Sequence, residues 1–199
     1  MGGHGVANGR HRESAWSSPH EDVRLVERIR ARDLRAFEEL YRSYHPRLSR
    51  FLANLIHRPP MIEEVLNDTM LVVWNRTDSF NGTSKLSTWI FAIAYRKAMK
   101  ALRRWDEPQE DKFAETRVSP DAGPEQEVDR LQAQEALLSA IGELSPDHRA
   151  VVDLTYFHEL GYREIAEIMG CPVDTVKTRM FHARRHLKRK LAGELADWL

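Results

Sequence analysis

The most informative segment runs Gly161-Tyr162-Arg163-Glu164-Ile165-Ala166-Glu167-Ile168-Met169-Gly170-Cys171-Pro172-Val173-Asp174-Thr175-Val176-Lys177-Thr178-Arg179. Apolar spacing predicts a short helix over 162–169, a tight turn at Gly170-Cys171-Pro172, and a long final helix over 173–191. That is the outline of a helix-turn-helix, whose second helix can enter a DNA major groove. Gly170 can take the positive φ that ends a helix, and the small Ala166 lets two helices cross closely. On the last helix Val173, Val176, Met180, Ala183, Leu187 and Leu191 follow the three-four spacing of one buried stripe. Lys177, Thr178, Phe181, His182 and Arg185 point the other way, and residues 175–190 carry seven basic side chains and no acid. Phe181 suits thymine methyl groups, Lys177, Thr178 and His182 suit base edges, and Arg184, Arg185 and Lys188 suit phosphates. The plainer alternative is a solvated basic face with one stray exposed ring. A run without an acid, behind a helix-turn-helix outline, favours nucleic acid over it.

Just upstream, Leu137 to Ile141 and Arg149 to Phe157 predict two more helices, with Ser145-Pro146-Asp147 as cap and first turn. Residues 106–134 hold Pro108, Pro120, Pro124 and nine acids, which is linker chemistry. Upstream the helical pattern resumes: Leu25, Ile29, Leu34, Phe37, Leu40, Tyr41 and Tyr44, then a stretch over 47–56 starting after Pro46. His57-Arg58-Pro59-Pro60 breaks it. Further helices are expected over 61–76 and 86–104, with a turn-rich loop over 77–84. Residues 1–22 lack periodicity and are expected to be a disordered tail. No segment alternates like a strand. The expected fold is all-α, with small helical domains over 23–105 and 135–199 joined by a flexible acidic linker over 106–134.

Thirty Lys and Arg balance thirty Asp and Glu among 199 residues, a net charge of zero. By segment the charges do not cancel. Residues 23–105 have 16 basic and 8 acidic side chains, 106–134 have 3 and 9, and 135–174 have 2 and 8. Local surfaces set the local potential whatever the total, so the pattern is compatible with a polyanion partner. No apolar run approaches a membrane span, and the first residues lack the apolar core of a signal peptide. The lone Cys171 cannot form an internal disulfide, so a cytoplasmic protein is expected. Cys171 itself is expected to pack as a small buried residue. His182 and His186 have a metal-compatible spacing but stand among arginines, which disfavours a cation. No nucleophile-base set, paired carboxylates or glycine-rich phosphate loop is visible, so neither catalysis nor a cofactor is expected.

The first block offers two candidate surfaces. Glu63, Glu64, Asn67 and Asp68 form an acidic patch on a helix continuing through Leu71, although acids near a helix start are also ordinary dipole chemistry. Phe80-Asn81-Gly82-Thr83-Ser84-Lys85 then leads into a helix with Trp89, Tyr95, Arg96, Lys97, Lys100, Arg103 and Arg104. Aromatics interleaved with basic residues suit single-stranded DNA, since rings stack on unpaired bases while cations follow phosphates. Trp89 is equally readable as core.

Together these residues resemble a known family. Ala36-Phe37-Glu38-Glu39-Leu40-Tyr41, Ile62-Glu63-Glu64-Val65-Leu66-Asn67-Asp68 with Val73-Trp74, and Phe80 followed by Leu86-Ser87-Thr88-Trp89-Ile90-Phe91-Ala92-Ile93-Ala94 are similar to region 2 of bacterial extracytoplasmic-function (ECF) sigma factors. Leu144-Ser145-Pro146 and the stretch 161–179 resemble region 4. Ala94-Tyr95-Arg96 and His182 depart from the pattern, which more often has Ala-Arg-Asn and arginine there.

The resemblance implies a subunit that directs core RNA polymerase to promoters, in response to a stress or envelope signal. It implies that Glu63, Glu64, Asn67, Asp68 and Leu71 dock on polymerase. Phe80, Asn81, Gly82, Thr83, Ser84, Lys85, Arg96, Lys97 and Lys100 would serve the minus-ten element. Lys177, Thr178, Phe181, His182, Arg184, Arg185 and Lys188 would serve the minus-thirty-five element. The acidic linker would thread toward the polymerase active-site channel. Core polymerase, promoter DNA and an anti-sigma factor are the implied partners, without membrane insertion. A stand-alone helix-turn-helix regulator and an RNA-binding anti-termination protein are the other readings the residues allow.

Overall fold

A computed structural model describes residues 19–105 and 136–191. Every regular element among the described residues is helical. α1 (Pro19–Arg30) opens on a proline and carries Glu21 and Asp22 in its first turn, where the helix dipole favours negative charge. It therefore extends into the tail expected over 1–22, which is helical from Pro19; the rest of that tail lies outside the described residues. Arg32, at φ 63°, turns the chain, and Asp33 caps α2 (Leu34–Leu55) by accepting from the N–H groups of Arg35 and Ala36 at 2.9 and 3.3 Å.

α2 runs straight through Pro46, so the expected new start after that proline does not occur. Pro46 is exposed, and the carbonyl its missing N–H leaves unpaired can be served by water. α3 (Pro59–Asn75) takes Pro59 and Pro60 into its first turn, where no N–H is needed. A 3-10 turn (Thr77–Ser79) precedes α4 (Leu86–Trp105). α5 is helical over 136–142. Ser145 then caps α6 (Pro146–Tyr156), accepting from the His148 N–H at 3.4 Å. α7 (Tyr162–Met169) ends at Gly170, whose φ of 63° is the left-handed value that glycine adopts freely. α8 (Val173–Lys190) follows. The expected linker over 106–134 and the last residues, 192–199, lie outside the described residues.

Leu48, Phe51 and Leu52 of α2 meet Leu66 of α3 and Ile90 and Phe91 of α4 in the first core. Val151 and Leu154 of α6, Ile165 and Ile168 of α7, and Val176 and Leu187 of α8 form the second. The two cores are continuous, because α2 packs on α6 and α4 on α7. Sequence alone predicted two units held by a linker; the structure packs them face to face.

Arg149 of α6 is the centre of that contact. Its side chain is 6% exposed. Nη1 donates to the carbonyls of Asn54 and Leu55 at 3.3 Å each, at the C-terminal end of α2, and also approaches the His57 ring. Nη2 donates to the carbonyls of Gly142, the last residue of α5, and Leu144 just beyond it, both at 2.8 Å. One cation thus serves carbonyls at the ends of two helices from opposite units, where the dipoles are negative. Asn54 donates to Asp153, and the Tyr95 hydroxyl donates to Asp147 at 2.6 Å. Buried His158 sits against Phe51 and Phe91, its ring 6.1 and 4.8 Å from theirs.

Arg149→Met keeps the aliphatic bulk and leaves these carbonyls without their donor, and an orphaned buried polar group costs about 1–3 kcal/mol. The variant is expected to lose about 3 kcal/mol in urea denaturation. Its scattering-derived radius of gyration is expected to rise as the two units separate. An unchanged radius would show that apolar packing alone holds them.

Candidate nucleic-acid interface

The reading face of α8 is set by what lies behind it. Val176, Met180, Ala183, Leu187 and Leu191 are buried, while Val173 is half-buried. That rotation leaves Lys177, Thr178, Phe181, His182, Arg184, Arg185 and Lys188 all exposed on one side. Phe181 is 61% exposed, and with Arg184, Arg185 and Lys188 it lines an open groove of about 280 Å³. An exposed ring framed by cations can meet base edges while the cations meet phosphates. Lys177 pairs with Asp174 at 2.9 Å, and Arg184 donates to the Tyr156 hydroxyl at 3.1 and 2.9 Å. Such exposed contacts are worth about 0–1 kcal/mol, so they orient these side chains without withholding them from a polyanion.

Beside this face, His148, His182 and His186 line a second groove of about 400 Å³ with Glu143, Arg185 and Arg189. The His148 ring stands 6.2 Å from that of His182. Burial first, then the neighbouring His182 and Arg179, push the His148 pKa below its ordinary value, while Asp147 acts the other way. The Glu143 carboxyl is held below its usual range by its bond to Lys190. Among the described residues, no group of three His, Cys, Asp or Glu is placed to hold a metal ion.

The loop before α4 departs from expectation at its first residue. Phe80 is 5% exposed and packs on Trp89 with ring centroids 5.5 Å apart, so its ring is turned away from any base. Its aromatic character fits the core because Trp89, itself half-buried, supplies the facing ring. The exposed tip is Asn81, Gly82 and Thr83, with Ser84 half-buried. Asn81 Oδ1 accepts from the Thr83 N–H at 3.1 Å and from its hydroxyl at 2.7 Å. Gly82 adopts φ 74° between them.

Lys85 reaches across to Glu164 of α7 at 2.6 Å. Arg96 and Lys100 are exposed on α4, whereas Lys97 is half-buried and pairs with Asp68 at 2.8 Å. Tyr95 is buried against the second unit, and burial first, then its bond to Asp147, raises its pKa.

On α3 the side chains of Glu63, Glu64, Asn67 and Leu71 are exposed, Leu71 at 57%. Asp68 belongs to the same helix but is drawn toward Lys97. The structure therefore groups an acidic and apolar strip on α3, a polar tip before α4, and a basic face on α8.

Sequence reasoning missed Arg30, Tyr156 and Glu164, which touch Phe80, Arg184 and Lys85 respectively. Their partners lie far away in sequence, and no local spacing announces such pairs.

Two family profiles match the chain. The Sigma-70 region 2 profile covers residues 40–107, and that for Sigma-70 region 4 covers 134–187. The ECF RNA polymerase sigma-E factor of Haemophilus influenzae is 31% identical over 85% of this chain and 95% of its own length. The ECF RNA polymerase sigma factor RpoE of Cereibacter sphaeroides is 33% identical over 85% and 94%. RNA polymerase sigma factor YlaC of Bacillus subtilis is 30% identical over 78% and 92%. In fold, the chain is similar to CnrH, solved in complex with the cytosolic domain of CnrY, with TM-score 0.64 at 21% identity over 87% of this chain and 98% of that one. It is also similar to sigma factor RpoE solved with the anti-sigma factor NepR from Bartonella quintana, with TM-score 0.60 at 24% identity over 79% and 98%.

The lowered His148 pKa carries a pH dependence. The unfolded chain takes up this proton more readily than the folded one, so stability rises with pH through the window below the ordinary histidine value. The Tm is expected to fall on acidification from about pH 7 to about pH 5, where unperturbed histidine charges. His148→Gln is expected to flatten that part of the profile, measured by thermal melts at matched ionic strength.

Proposed function

The chain belongs to the family of ECF RNA polymerase sigma factors, and from that premise we propose how its surfaces divide the work. Its function is to direct core RNA polymerase to specific promoters and start transcription there. The exposed strip Glu63, Glu64, Asn67 and Leu71 on α3 is the polymerase-docking surface, with Asp68 at its edge. The tip Asn81 to Ser84, with Lys85, Arg96, Lys97 and Lys100, receives the minus-ten element and holds an unstacked base. The α8 face receives the minus-thirty-five element as duplex, with Lys177, Thr178, Phe181 and His182 on bases and Arg184, Arg185 and Lys188 on phosphates. The units responsible are residues 23–105 and 135–199. The exposed Phe181 within the acid-free α8 face carries this reading, because a solvated surface gains nothing from a ring 61% exposed among cations.

This role calls for no catalysis by the chain itself; polymerase does the chemistry. Among the described residues no helix is long and apolar enough to cross a membrane, and the proposed place of action is with polymerase in the cytoplasm. An anti-sigma protein is the proposed regulator, a stress or envelope signal its trigger, and one structural neighbour was itself solved with an anti-sigma factor.

Magnitudes add one requirement. By their names the two promoter elements lie about 25 base pairs apart, which at about 3.4 Å per step is roughly 85 Å. A folded chain of 199 residues has a radius of gyration of about 16 Å, hence a span of about 40 Å. The face-to-face packing of the two units must open before both surfaces can reach their elements. Opening releases Lys85 from Glu164 and Tyr95 from Asp147, which exposes the start and middle of α4 on the DNA side.

The test is transcription reconstituted with core polymerase on a promoter recovered by transcript sequencing. Glu63→Lys with Glu64→Lys is expected to abolish transcription while leaving the fold intact. Lys177→Ala and Phe181→Ala are each expected to weaken minus-thirty-five recognition by about 1–3 kcal/mol. Normal transcription by the double charge reversal would show that this strip is not the polymerase-docking surface.

A further inference from the structure

α1 (Pro19–Arg30) stands outside both matched family regions, the first of which begins at residue 40. Buried Val26 and Ile29 anchor it, and it packs on α2 and on the 3-10 turn before α4. Its last residue, Arg30, reaches the base of the exposed tip. Nη2 donates to the Phe80 carbonyl at 2.5 Å and to the Thr77 carbonyl at 3.5 Å, and Nε lies 3.5 Å from the Asp78 carboxylate. The Phe80 carbonyl is the last main-chain group before Asn81-Gly82-Thr83.

Apolar packing does not brace that tip. A cleft of about 140 Å³, lined by Val23, Val26, Arg30, Phe80, Asn81 and Gly82, separates it from the body of α1. Among the described residues, nothing lies within 4 Å of where a Cβ on Gly82 would stand. Residue 80 is therefore fixed twice, by its ring on Trp89 and by its carbonyl on Arg30. Beyond it, among the described residues, the Asn81–Thr83 hydrogen bonds shape the tip. Ordering an exposed loop costs about 1–2 kcal/mol per residue, so a fixed starting point lowers what a bound base must supply.

We propose that Arg30 is a positioning residue for promoter recognition. Its guanidinium holds the carbonyls of Thr77 and Phe80 so that the tip over 81–84 is presented in the conformation that accepts an unstacked minus-ten base. The proposal rests on the reading of this loop given under Proposed function. A planar fork can serve two carbonyls at once, whereas a lysine ammonium is a point charge on a flexible stem. Arg30 acts through the backbone, so its loss should alter which base is preferred; a simple phosphate contact would weaken all sequences alike.

The full-length chain, with core polymerase, is assayed for open-complex formation on a promoter panel with all four bases at each minus-ten and minus-thirty-five position. Arg30→Met is expected to reduce preference for the cognate base at the loop-read position by about tenfold, the size of one good base contact. Preferences at the minus-thirty-five positions should stay within about twofold, below the cost of one lost contact. Arg30→Lys should recover only part of the loss. If Asn81→Ala abolishes the preference while Arg30→Met keeps it, the loop reads the base without Arg30 and the proposal is overturned. Full rescue by Arg30→Lys, or an equal loss at both elements, would assign the effect to charge or to the fold and would also overturn it. If Asn81→Ala leaves every minus-ten preference intact, the loop reading itself fails, and the proposal with it.

Discussion

A single buried guanidinium sets the relation between the two halves of this chain. Arg149 sits where the end of α2 meets the end of α5 and the residues just after it, and each of its terminal nitrogens faces carbonyls of a different unit. Carbonyls at a helix end have no partner of their own and cannot be buried bare without cost. With Arg149 in place, both ends can be covered, and α2 can lie on α6 while α4 lies on α7. The apolar contacts around it, including His158 against Phe51 and Phe91, supply area but little direction. The cation supplies register.

Charge is sorted by surface, and some of it is spent internally. Lys97 faces Asp68, Lys85 faces Glu164, and Lys177 faces Asp174. Each pair is partly or largely solvent-exposed and separable at small cost. Among the described residues, Glu63 and Glu64 of the α3 strip and Arg185 and Lys188 of the α8 face stand exposed with no such pairing. A formal charge of zero is thus the sum of faces suited to opposite partners.

Much of this was legible in the sequence, for identifiable reasons. The α8 stripe could be read because burial on a helix repeats every three to four residues, and Gly170 because only a left-handed residue ends α7 in this way. Ser145 declared itself as a cap through the proline that follows it. Pro46 misled, since a proline breaks a helix only where the lost hydrogen bond cannot be replaced, and exposure is not written in local spacing. Phe80 misled differently: an aromatic in a polar loop looks available until Trp89 is seen beneath it. The packing of the two units was invisible because Arg149 and its partners on α2 are 94 and 95 positions apart.

That separation also bears on how the molecule assembles. Contacts among α2, α3 and α4, and among α6, α7 and α8, close over short loops and can form early. Docking of Arg149 onto α2 closes a far longer loop, and the entropy of closure grows with its length, if slowly. Rates of folding fall as contacts become less local. Each helical unit should therefore acquire its own core before the two meet. The face that joins them becomes the last and most easily reversed step of folding, which suits the opening proposed for reaching both promoter elements.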